Sequence, residues 1–217
     1  MRTLVPEWDL RRIQCQKMSV KSKISKKNYL KGKQLLDEAT ICVHRGLLLS
    51  IFPNDLHGCI ESFQHAFELS LKALYQIQGV SYPKCHNASK SIEKITKRMK
   101  ELPYKVNFSE WDKFVKWISE KSDYMDHLHH ITIYGDEERD IPASQLFTQK
   151  EKSEIIQNVA TMYTFVRHRM FVIGTDLGLL TKDEEKEFKK STPWTTQVGL
   201  DQIILELKKR IKLIQGL

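Results

Sequence analysis

The densest run of side chains able to do chemistry is Asp123-Tyr124-Met125-Asp126-His127-Leu128-His129-His130. On a helix, Asp123 and His127 stand four apart, as do Asp126 and His130, while His127 and His130 stand three apart. Such spacing turns two imidazoles and two carboxylates to one side. Three readings follow. The set can ligate a metal, it can line a polar groove where His127 and His130 face an anion or a partner chain, or its histidines serve ordinary packing and solvation. A closed metal site needs ligands from a second helix, and no HExxH motif is present. The sequence therefore assigns no metal and no cofactor.

Glu68 and Lys72 form an i, i+4 pair, worth roughly a few tenths of a kcal/mol on a solvated helix face. The functional alternative puts Lys72, with His86 beyond the next turn, along a ligand-facing groove. In Arg167-His168-Arg169, Arg167 sits beside an apolar stripe, where its planar fork can reach a carboxylate such as Asp126, or a phosphate. Asp136 to Gln145 reads as a polar loop containing Pro142, with Asp136-Glu137-Glu138-Arg139-Asp140 its solvated part.

The strongest electrostatic feature lies near the start. Residues 10–36 hold nine cations (Arg11, Arg12, Lys17, Lys21, Lys23, Lys26, Lys27, Lys31 and Lys33) and no acid. The whole chain's formal net charge is +8, so the remainder is close to neutral. A cationic arm of this kind suits a phosphate backbone, with salt-dependent binding. Only Trp8 and Tyr29 flank it, which leaves base stacking without a platform.

Other chemistries are not signalled. The chain has no GxxxxGK[ST], GxGxxG or GxSxG motif. Cys15, Cys42, Cys59 and Cys85 are far apart with no CxxC, arguing against a disulfide framework or structural zinc. The longest apolar run, residues 46–53, is far short of the ~18 residues of a membrane span. The opening residues lack a secretory pattern. These features lead to the expectation of a soluble, cytoplasmic protein that does not enter membranes. At 217 residues, 41% hydrophobic and 29% charged, the chain suits one sizeable core.

The elements that must position these groups read as helices throughout. Ile60, Phe63, Phe67, Leu71 and Leu74 repeat at three-and-four spacing over residues 56–78, with Glu61, His65, Glu68, Lys72 and Gln76 on another face. Residues 29–50 read as a preceding helix. Asn107 with Glu110 resembles a capping box for a helix reaching Tyr134 before Gly135. Thr148 with Glu151 opens a helix burying Ile155, Val159, Met162, Val166, Met170 and Ile173, interrupted at Gly174. Thr181 with Glu184 caps a short charged helix, and Leu200, Ile203, Leu207, Ile211 and Ile214 mark a last amphipathic one. The fold class is all-α, an antiparallel helical bundle: a basic arm (1–27), a bundle (28–175) and a C-terminal helical extension (176–217).

Three features together resemble the HEPN domain (higher eukaryote and prokaryote nucleotide-binding). They are a helix leading into Phe67-Glu68-Leu69-Ser70-Leu71-Lys72-Ala73-Leu74, the following Gly79-Val80-Ser81-Tyr82-Pro83-Lys84-Cys85-His86 turn, and a later helix finishing in Tyr134-Gly135-Asp136-Glu137. The resemblance implies a helical bundle that usually dimerises. It also implies either a ribonuclease of toxin–antitoxin and defence systems or a nucleotide or RNA binder, often beside a nucleotidyltransferase. Catalytic members carry Arg, four to six residues, then His; the His moves a proton while the Arg steadies phosphate charge. Here no Arg stands five to seven positions before any His, and aligning Tyr134 with the family's Tyr places Thr132 and His127 at the two catalytic positions.

The expectation is therefore a homodimeric, non-catalytic HEPN-like binder of RNA or a nucleotide. Lys72, His86, His127, His130, Tyr134 and Arg167 would line its site, assisted by Lys17, Lys21, Lys23, Lys26, Lys27, Lys31 and Lys33. One alternative is a degenerate ribonuclease using His130 as base and His127 as acid. Another is the helical partner of a nucleotidyltransferase or an antitoxin.

Overall fold

The computed structural model describes residues 24–52, 55–82, 92–101 and 108–189. They form seven helices: α1 (Lys26–Leu49), α2 (Leu56–Ile77), α3 (Ile92–Glu101), α4 (Phe108–Tyr134), α5 (Ala143–Leu146), α6 (Gln149–Asp176) and α7 (Lys182–Lys189). Among the described residues there is no strand, and the one isolated bridge joins Asp136 and Ile141. The arm up to Lys23, the Asn107 cap, the turn carrying His86 and the expected last helix lie outside the described residues.

α1 begins three residues before the sequence reading because Ser25 caps it, accepting from the Asn28 N–H at 3.1 Å. Its buried residues Tyr29, Gly32, Leu36, Ala39, Val43 and Gly46 alternate three and four apart, a heptad seam. Small residues at every seventh position, Gly32, Ala39 and Gly46, bring the α2 backbone close. A Cβ on Gly32 would overlap Ile77 Cγ2 and stand 3.2 Å from the Ala73 carbonyl oxygen; one on Gly46 would meet the Phe63 ring at 3.0 Å. These contacts make α1 and α2 antiparallel.

α2 is buried on nearly every side, against α1, α6 and α4. On α6, Tyr163 hydrogen-bonds Thr40 of α1 at 2.9 Å, and Gly174 lies under the Tyr29 hydroxyl, so α6 opposes α1. On α4, Phe114 meets Phe165 at 3.9 Å between centroids and Lys121 pairs with Glu154 at 3.0 Å, so α4 opposes α6. The four long helices thus form an antiparallel bundle, with Trp111, Phe114 and Phe165 clustered inside one continuous core.

The Thr148 capping box is present, with the Thr148 N–H donating to Glu151 Oε2 at 2.7 Å and the Glu151 N–H returning to Thr148 Oγ1 at 3.3 Å. α6 passes through Gly174 and ends at Asp176: that glycine makes room for Tyr29, while Gly178 (φ +64°) terminates the helix. Two elements were not foreseen. α3 closes over the end of α2, where Arg98 Nε donates to the Gln78 carbonyl at 3.3 Å and Trp111 Nε1 donates to Thr96 at 3.0 Å. α5 occupies part of the segment read as a polar loop.

Candidate functional site

The N-terminal end of a helix carries a partial positive charge from its unpaired N–H groups. α1 has no acid in its first turn to offset this; instead Lys26 and Lys27 stand exposed there, and Lys31 one turn on, with no ion pair among the described residues. Like-sign charge at this end costs about 0.3–1 kcal/mol per residue when unanswered. An anion at this end would offset that like-sign charge.

Lys33 behaves differently. Asp37 stands four residues on along α1, and the fold also brings Glu184 of α7 onto the Lys33 ammonium. The Glu184 carboxylate is aimed by its own cap: it accepts the Thr181 N–H at 2.8 Å while the Glu184 N–H donates back to Thr181 Oγ1 at 3.1 Å. The Lys33 hydrogen bond, and then the Thr181 N–H, hold the Glu184 carboxyl down at about 2, and the same bond raises the Lys33 ammonium above its ordinary value. Lys33 thus departs from the reading of an unanswered cation. Lys17, Lys21 and Lys23 lie outside the described residues.

A second polar feature runs along α2. The face read as solvated is not so at its centre, since Glu68 is only 5% exposed. It holds Lys72 at 2.5 Å, with His65 Nδ1 at 3.8 Å on its other side, and the Lys72 ammonium lies 5.4 Å from the centre of the Tyr82 ring. One turn earlier, buried Gln64 hydrogen-bonds His129 of α4 at 3.3 Å. The sequence missed Gln64, Glu68, His129 and Tyr82 as one polar seam. The four-residue steps Gln64, Glu68, Lys72 were visible, but not the helix that covers them.

The sequence-derived residues do not form one cluster. His130 and Tyr134 come together on the last turn of α4, with ring centroids 4.9 Å apart and Tyr134 largely exposed. His127 is exposed on the same helix without a hydrogen bond among the described residues. Lys72 lies two turns along α2 from Gln64, the level at which α4 presents His129, and touches neither His130 nor Tyr134. His86 lies outside the described residues. Arg167 is half-buried on α6, but Asp126 is not its partner. Because α4 pairs Lys121 with Glu154 and Phe114 with Phe165, Asp126 falls beside the first turns of α6, at the far end from Arg167. A guanidinium cannot span that length.

Beyond Tyr134 the chain turns back through Gly135 (φ +77°) and Asp140 (φ +54°), with the Arg139 N–H and guanidinium both on Asp136. Glu137, Glu138 and Asp140 are exposed on this turn. The turn follows Tyr134 directly in the chain, and its charge opposes a phosphate at that end of α4. Among the described residues no group of three or more His, Cys, Asp or Glu side chains is placed to hold a metal, and no helix is long and apolar enough to cross a membrane.

An antiparallel bundle of four long helices, with an unanswered cationic helix start and a covered polar seam, defines a class of all-α domains. The HEPN domain family's model matches residues 31–169, well over half of the chain, and the chain belongs to that family. The resemblance read from the α2 motif, its following turn and the end of α4 is thereby confirmed. Membership supports a nucleotide- or RNA-related function at the level of the family. No curated protein and no solved structure matches the chain.

Proposed function

We propose that this chain binds RNA or a nucleotide through its phosphates, at the cationic start of α1, and that it is not a ribonuclease of the usual HEPN kind. The observation that carries this reading is the placement of exposed Lys26, Lys27 and Lys31 on the positive end of α1, without an acid in its first turn. Lys17, Lys21 and Lys23 extend the same charge in sequence. Together they attract a phosphate chain from a distance.

Two further observations support the non-catalytic half. No Arg precedes any His at the family's catalytic spacing. Neither His127 nor His130 is oriented by a hydrogen bond among the described residues, as a general base or acid would be. A role within a toxin–antitoxin or defence-type system, as a homodimer, is consistent with this family. Exposed Ile133 and Tyr134 beside an acidic turn favour a second reading, in which that end of α4 docks a nucleotidyltransferase or antitoxin partner.

The test is anisotropy of a labelled single-stranded RNA, and separately of a labelled nucleoside triphosphate, titrated with the protein at low salt. Saturable binding to either is expected, with the RNA left intact. Binding to neither overturns the proposal. Cleavage that disappears in both His127→Ala and His130→Ala would establish the ribonuclease alternative instead.

A further inference from the structure

Turned away from α2, α1 carries an apolar stripe that nothing covers among the described residues. Leu30, Ile41 and Leu48 are 45%, 67% and 41% exposed, and Phe52 just beyond the helix is 43% exposed. The three helical positions are eleven and seven residues apart, which places them within about 20° of one another around the axis. Gln34 and Asp37 lie between them, with Glu38, His44 and Arg45 alongside, all exposed. An aligned apolar row of this kind on a surface helix marks a contact site.

We propose that the stripe is the seat of this chain's own residues 200–214. Leu200, Ile203, Leu207, Ile211 and Ile214 repeat at three- and four-residue steps, the register that a heptad-spaced row on a facing helix accepts. The tether allows it. α7 is fastened to α1 through Glu184 and Lys33, and Lys33 lies only about 60° around the axis from Leu30. From Lys189, residues 190–199 reach up to about 33 Å, whereas Leu30 to Leu48 spans about 27 Å. Around Asp37, midway along the stripe, charge is complementary, while Lys26, Lys27, Lys31 and Arg45 flank its two ends. Asp37 interacts with both Lys33 and Glu184, so two carboxylates share one ammonium, and Glu38 is exposed next to it in the chain. The segment brings Lys208, Lys209, Arg210 and Lys212. A short tether also gives the segment an effective concentration on the order of millimolar, ahead of a second chain.

Hydrogen exchange of the full chain tests this, comparing wild type with Ile41→Asp/Leu48→Asp, whose exposed sites leave the bundle folded, and with Leu207→Asp. Amides of 200–214 are expected to exchange at least about tenfold slower than in an open chain, independently of protein concentration, and to lose that protection in both variants. Open-chain exchange in the wild type, or protection unmoved by either variant, overturns the proposal. So does protection that grows with protein concentration, which would make a second copy the occupant.

Discussion

Replacing Gly32 with alanine tests the seam that fixes α1, and with it the position of the lysines at its start. On an isolated helix the change is favourable by about 0.5–1 kcal/mol, since alanine loses less backbone freedom. In the bundle the added methyl overlaps Ile77 Cγ2 and stands 3.2 Å from the Ala73 carbonyl oxygen and 3.3 Å from the Ile77 nitrogen. None of these can swing aside: two are α2 backbone, and the third is the branch methyl of a fully buried isoleucine. Separating the helices at such a point costs about 1–3 kcal/mol. The net expectation is a loss of about 1–2 kcal/mol, a fall in Tm of about 2–8 °C for a domain of this size. Gly46→Ala is the control. Its methyl meets the Phe63 ring at 3.0–3.1 Å, where a small ring shift gives relief, so the net change should be near zero. Thermal unfolding followed by circular dichroism reads both. A rise in Tm for Gly32→Ala, or a larger loss at Gly46, would refute the close-packed seam.

Further outcomes follow from other contacts. Glu68→Leu should destabilise the bundle by about 3 kcal/mol, because Lys72 is left without its counter-charge beneath Tyr82; adding Lys72→Leu should recover most of that, read from denaturant midpoints. No recovery in the double variant would show that the pair is not the cause. Glu184, held at about 2 against an ordinary 4.5, stabilises the α7–α1 contact fully above 4.5 and loses this as pH falls from 4.5 toward 2. Since both partners are substantially exposed, the contribution is held to about 1 kcal/mol or less by solvent screening. The stability difference between wild type and Glu184→Gln should shrink across that window, and a pH-independent difference contradicts the assignment. Thr148→Ala should cost about 1 kcal/mol and Thr148→Gly only a few tenths, measured by urea unfolding; equal losses would mean the cap is not what starts α6.

The bundle was legible in the sequence because its long helices carry their own periodicity and caps. Leu56, Thr148 and Thr181 start or precede helices where the pattern places them. α3 was missed because two buried isoleucines, Ile92 and Ile95, are too short a repeat to stand out from a lysine-rich stretch. The partly read site shows the deeper limit. Periodicity gives each helix an inside and an outside, but not which neighbour covers which turn. Glu68 looks solvated on α2 taken alone, and only the completed packing buries it. The pairing of α4 with α6 likewise decides that Asp126 and Arg167 stay apart, and the tether of α7 gives Lys33 an acid from 151 residues away. Interhelical register is a property of the packed whole, not of any local stretch.

The proposed function stands on phosphate binding at the start of α1. It is tested most directly by the salt dependence of RNA binding in wild type and in Lys26→Gln/Lys27→Gln/Lys31→Gln. Each phosphate neutralised on a single strand contributes about 0.7 to the slope of log K against log salt. The triple variant should bind more weakly, with a slope shallower by about 2. A slope unchanged within error, with affinity retained, would contradict it and move the phosphate site elsewhere on the molecule.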